Sequence, residues 1–104
     1  MENKKNFYIN GKWVTPKSKE EIKVIDPATE ENCAVITLGN KDDVNDAVNA
    51  AKKAYSSWAF SSKDERIKLL EKLYENYKKR WVDIASAITT EMGAPKDFAT
   101  KLQA

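Results

Sequence analysis

Two side chains in this sequence could carry covalent or acid–base chemistry, the thiol of Cys33 and the carboxylate of Glu91; histidine, the usual partner for either, does not occur. A cysteine nucleophile works as the thiolate, which a neighbouring imidazole or cation favours. Cys33 instead follows Glu30, Glu31 and Asn32 and leads into Ala34-Val35-Ile36. That context predicts a small apolar residue inside a strand. Glu91, in T-E-M-G-A-P, could serve as a ligand or a base, but a lone carboxylate near a helix end reads first as a surface group. Zinc would need a Cys or His cluster, and there is none. Three glycines, widely separated, make neither G-x-G-x-x-G nor a phosphate-binding P-loop. The run Lys78-Lys79-Arg80-Trp81, with Tyr74 and Tyr77 before it, has the residue types of a nucleic-acid patch. Glu71 and Glu75 interleave on the same helix, so a solvated charged face is the better reading. No catalytic residue and no cofactor-binding residue is assigned from these side chains.

Composition narrows the classes further. The 104 residues are 41% hydrophobic and 33% charged, and 18 basic against 16 acidic side chains leave a net charge of +2. A charge this balanced does not select nucleic acid or an anionic membrane. No apolar run approaches the roughly 18 residues that a membrane-spanning helix requires. The opening M-E-N-K-K-N-F-Y-I-N carries lysines but only a three-residue apolar stretch, which is not a secretory signal. A single cysteine cannot form an internal disulfide, so the expected compartment is a reducing cytoplasm. At this length the chain forms one domain at most.

The elements follow from period and punctuation. Phe7-Tyr8-Ile9, Asn10-Gly11 and Lys12-Trp13-Val14 predict a tight β-hairpin, since Asn-Gly tolerates the positive φ angles of a type I′ turn. Ile22–Ile25 is a short strand stopped by Asp26-Pro27, and Ala34–Leu38 is another that ends at Gly39. The period then changes from two to 3.6 residues. Asn40 with Asp43 resembles a helix N-cap, and Val44, Ala47, Val48, Ala51, Tyr55 and Trp58 form one apolar stripe behind it. Ser62-Lys63-Asp64-Glu65 matches the S-x-x-E capping box, followed by the stripe Ile67, Leu70, Leu73, Tyr74, Tyr77, Trp81, Ile84, Ala85, Ile88 and Met92. Gly93 suits that helix's C-terminus, Pro95 the first turn of another, and Phe98 and Leu102 sit at i, i+4 within it. Strands thus occupy about 7–38 and helices about 41–104. The strands cannot close a sheet among themselves, and the helical stripes lack a partner surface. The pattern fits either a small α+β domain or a segment whose core lies elsewhere.

Five motifs in order carry a resemblance: Y-I-N-G-K-W-V (8–14), V-I-D-P-A-T (24–29), L-G-N-K-D-D-V-N-D-A-V-N-A-A-K-K-A-Y-S-S-W (38–58), D-E-R-I-K-L-L-E-K-L (64–73) and T-E-M-G-A-P (90–95). In order and spacing, along essentially the whole chain, they resemble the N-terminal region of the NAD(P)-dependent aldehyde dehydrogenase superfamily. Members commonly have Asn-Pro-Ala-Thr-Gly at the second motif; here Asp26 stands for the Asn and Glu30 for the Gly. The resemblance implies that residues 1–104 are the N-terminal portion of an NAD(P)-binding α/β domain. Such enzymes oxidise an aldehyde through a cysteine thiohemiacetal, pass hydride to NAD or NADP, and hydrolyse the thioester with a glutamate-activated water. The resemblance places the family's nucleophile, glutamate and oxyanion asparagine beyond position 104, which leaves Cys33 structural.

The same resemblance implies a cytoplasmic homo-oligomer as the complete enzyme, with the remainder of the chain as this segment's first partner. It also implies a monovalent cation site of the kind some members have, mapped here onto backbone oxygens of Val24 and Ile25 and the carboxylate of Glu91, a donor set that suits a hard cation. Alone, the segment is expected to be inactive, marginally stable and sticky. A rival expectation is a non-enzymatic truncated paralogue that acts as an interaction module. A helical nucleic-acid binder would need a salt-dependent affinity that the near-neutral charge does not supply.

Overall fold

The computed structural model describes residues 4–104; Met1, Glu2 and Asn3, the start of the segment read above as lacking a secretory signature, lie outside the described residues. The element order is β1 (Phe7–Ile9), β2 (Lys12–Val14), β3 (Glu21–Ile25), β4 (Asn32–Thr37), α1 (Lys41–Trp58), α2 (Lys63–Met92) and α3 (Lys96–Phe98), which runs on as a π-helical turn at Ala99–Gln103. Two two-stranded sheets form, β1 with β2 and β3 with β4. By packing the chain divides into two compact units. One holds the described residues up to Val24 together with Ala34–Ser61; the other holds Ile25–Cys33 and Ser62–Ala104.

In the first unit the β1–β2 hairpin is antiparallel, with Phe7 opposite Val14 and Ile9 opposite Lys12. Asn10 and Gly11 both take positive φ, 54° and 75°, the pair of left-handed residues that a type I′ turn demands. Tyr8 meets Trp13 edge to face across the ladder at 5.2 Å. Lys4 bridges in parallel to Ile36 of β4, its N–H donating to the Val35 carbonyl, so β4 gains a short second neighbour on the edge away from β3. α1 packs on β1, and the ring of Phe7 lies against Gly39, in van der Waals contact at 3.4 Å with the position of an ideal Cβ. The predicted cap at Asn40 is a complete capping box, each of Asn40 and Asp43 accepting from the other's N–H.

The second unit is built on α2, whose 30 residues open with the Ser62/Glu65 capping box and close at Gly93 in the left-handed conformation, φ 71°. The final helical segment returns along α2, and the Trp81 indole N–H donates to the Thr100 carbonyl at 2.9 Å. Here the structure differs from the sequence expectation. Residues 99–103 widen into a π turn in which the Ala104 N–H reaches back five residues to Ala99. In an α-helix that N–H would go to Thr100, whose carbonyl is instead taken by the indole. Pro95 caps the segment rather than opening its first turn. The strand limits also shift: β3 begins one residue earlier than Ile22, and β4 runs from Asn32 to Thr37, leaving Leu38 outside. The Leu38 N–H still donates to the Glu20 carbonyl just beyond the two strands.

Among the described residues only three apolar side chains are buried, and all are alanines: Ala34, Ala85 and Ala99. The stripes read from the sequence are present but face largely outward, apart from buried Ala85 and half-buried Ile84 and Ile88 in the last part of α2. Tyr55 is 70% exposed, Leu70 and Leu73 are each 62%, and Leu102 is 73%. Every residue from 62 to 83 is exposed. The accessible surface of 8547 Å² exceeds by roughly 2,600 Å² what a folded monomer of 11.8 kDa presents. The exposed stretch of α2 is therefore held largely by local terms, its cap, good helix formers and ion pairs such as Glu75–Lys78 at 2.8 Å.

Candidate functional site

The most highly connected polar group in the first unit is Asp43, at the third position of α1. Its carboxylate accepts three backbone N–H groups: Lys17 at 2.7 Å, Asn40 at 3.0 Å and Ser18 at 3.2 Å. Asp43 is 6% exposed, and a buried carboxylate must be satisfied in this way. These N–H donors, that of Lys17 above all, hold its carboxyl below the ordinary range against the opposing effect of burial. The Lys17 ammonium reaches Asp46 one turn along, at 2.6 Å, which raises its own pKa. One acid thus closes the N-terminus of α1 and pins the polar connection between β2 and β3.

This arrangement decides what α1 can bind. A bare helix N-terminus attracts phosphate through its unsatisfied N–H groups. In α1 the N–H groups of Asp42 and Asp43 are already given to the Asn40 side chain, and two aspartates stand in the first turn. The start of α2 is closed in the same manner by Ser62 and Glu65, with Asp64 beside them. Gly11 sits at a hairpin tip, Gly39 under Phe7 and Gly93 at a helix end. The described residues therefore do not fit the diphosphate of a dinucleotide.

In the second unit the Asp26–Glu31 turn and the end of α2 come together. The Asp26 side chain accepts the Ala28 N–H at 2.8 Å, its carbonyl accepts from Glu30, and its N–H donates to Glu31. Only the side-chain oxygen of Asp26 is used in that bond, so an asparagine could accept it equally well. Glu30 adopts φ 60°, a left-handed conformation that a glycine takes without strain. Pro27 packs against Gly93 so closely that an ideal Cβ there would lie 2.9 Å from the proline Cγ.

The residues singled out for a cation distribute as follows. Val24 is half-buried in β3 and belongs to the first unit. Ile25, at the end of β3, and Glu91, exposed in the last turn of α2, belong to the second, which also contains the Pro27–Gly93 contact. Among the described residues the Glu91 carboxylate makes no ion pair, and no group of three or more Asp, Glu, Cys or His side chains gathers to hold a metal. Cys33 is half-buried in β4, in the strand position expected for it.

Residue types mark Asn40 and Asp43 as a cap but give no sign that Asp43 captures Lys17 and Ser18, which lie 26 and 25 residues away. The available signal was an acid at the third helical position together with a polar connection that needs its N–H groups satisfied. The Pro27–Gly93 contact gave no signal of its own beyond the two turn residues.

The aldehyde dehydrogenase family model matches residues 13–103. The 3-succinoylsemialdehyde-pyridine dehydrogenase of a Pseudomonas species is 45% identical over 105 residues, which is 100% of this chain and 22% of that protein. The crystal structure of an aldehyde dehydrogenase from Bartonella henselae superposes with a TM-score of 0.96 at 50% identity, over 99% of this chain and 22% of that one. Aldehyde dehydrogenase C of Pseudomonas syringae, a mutant solved with NAD+ and octanal, superposes at 0.93 with 37% identity, over 95% of this chain and 20% of that one. The chain therefore spans about a fifth of the length of the relatives it matches. On the family match across residues 13–103, this chain belongs to the aldehyde dehydrogenase family.

Proposed function

We propose that these 104 residues are the N-terminal portion of the cofactor-binding domain of an enzyme that oxidises an aldehyde to a carboxylic acid, with NAD or NADP as hydride acceptor. The observation that carries this reading is the pair of apolar helical faces left outside any core in a chain that covers 22% of its relatives' length. An apolar surface of this extent is unstable in water unless something covers it. In the proposal the remainder of the dehydrogenase chain covers it and supplies the nucleophilic cysteine, the general base, the oxyanion donors and the dinucleotide's phosphate contacts. The residues present frame the domain: the Asp43 node fixes the start of α1, and the Pro27–Gly93 contact fixes the end of α2 against the Asp26–Glu31 turn.

The complete enzyme is proposed to be a cytoplasmic homo-oligomer. Its monovalent cation would take the carbonyl oxygens of Val24 and Ile25 and the carboxylate of Glu91, an all-oxygen set suited to a hard ion. The intact mass of the native product, followed by NADH or NADPH formation from a panel of aldehydes, tests the proposal. A mass near 50 kDa, about four times that of this chain, with reduced cofactor formed, is the expected result. A native product of 11.8 kDa would overturn it in favour of an interaction module.

A further inference from the structure

We draw no further inference here: the strongest candidate, the apolar groove between β1 and α1 lined by Phe7, Ile9, Gly39, Val44 and Ala47, carries nothing beyond the function proposed above, because nothing in the structure shows what covers it.

Discussion

Replacing Gly93 with alanine probes the contact that joins the Asp26–Glu31 turn to the end of α2. Two costs are expected. The left-handed backbone at φ 71° disfavours any Cβ, by about 1–2 kcal/mol. The new methyl would also lie 2.9 Å from the Pro27 Cγ, inside any normal contact distance, and such overpacking costs about 1–3 kcal/mol. Together Gly93→Ala should destabilise the chain by about 2–5 kcal/mol. Gly11→Ala separates the two terms, because Gly11 has a similar φ, 75°, but nothing within 4 Å of its ideal Cβ. It should therefore cost only the backbone part, about 1–2 kcal/mol. Pro27→Ala removes the clashing Cγ, so the Pro27→Ala/Gly93→Ala double variant should recover most of the steric part as a coupling energy. Urea unfolding followed by far-ultraviolet circular dichroism reads the four variants against the parent chain. Equal losses from Gly93→Ala and Gly11→Ala, with no relief from Pro27→Ala, would refute the packing of that turn on α2.

Further outcomes follow from the same physics. Glu30→Gly should stabilise the chain by about 0.5–1 kcal/mol, since it relieves the left-handed strain at φ 60°; urea midpoints that do not rise would count against this. Ser62→Ala removes the side-chain acceptor for the Glu65 N–H and should cost about 1 kcal/mol, seen as lost helicity at the start of α2 in amide hydrogen exchange. Trp81→Phe keeps the aromatic face but leaves the Thr100 carbonyl without its donor, for a loss of about 1 kcal/mol and faster exchange across residues 99–103. Asp43 has its carboxyl held low in the folded state, so the charged form stabilises the fold above the ordinary carboxylate range. That stabilisation disappears as pH falls through the folded-state value. Unfolding midpoints measured on acidification should drop more steeply for the parent chain than for Asp43→Asn, which is already weakened at neutral pH because its amide faces N–H donors. Parallel curves would contradict the role given to the three N–H bonds.

Much of the local structure could be read from residue types, because it is set by short-range chemistry. Asn10-Gly11, Ser62 with Glu65, and Gly93 each impose a backbone conformation with little help from distant groups, and each is found where expected. The apolar stripes were equally legible, since a period of 3.6 survives whatever covers it. What escaped was set at long range. The Asp43 node depends on a connection 26 residues upstream, and the π turn depends on Trp81 reaching Thr100 from the neighbouring helix. Strand limits moved by one or two residues, since strand ends are set by cross-strand pairing that residue types do not show. Of the cation residues, the sequence could place Val24, Ile25 and Glu91 at a strand end and a helix end, but not the direction of a carbonyl.

The central claim is that this chain frames a dehydrogenase's cofactor domain while the chemistry belongs to residues it does not contain. The most direct measurement exchanges these 104 residues for the corresponding segment of the Bartonella henselae enzyme, with which they share 50% identity and a TM-score of 0.96. Aldehyde-dependent formation of NADH or NADPH is then compared for the chimera and for this chain alone. The account predicts a folded chimera whose kcat stays within about tenfold of the parent, a change of about 1.4 kcal/mol or less in the barrier, and no turnover by the isolated chain. Turnover by the isolated chain, or a folded chimera without activity, would contradict it.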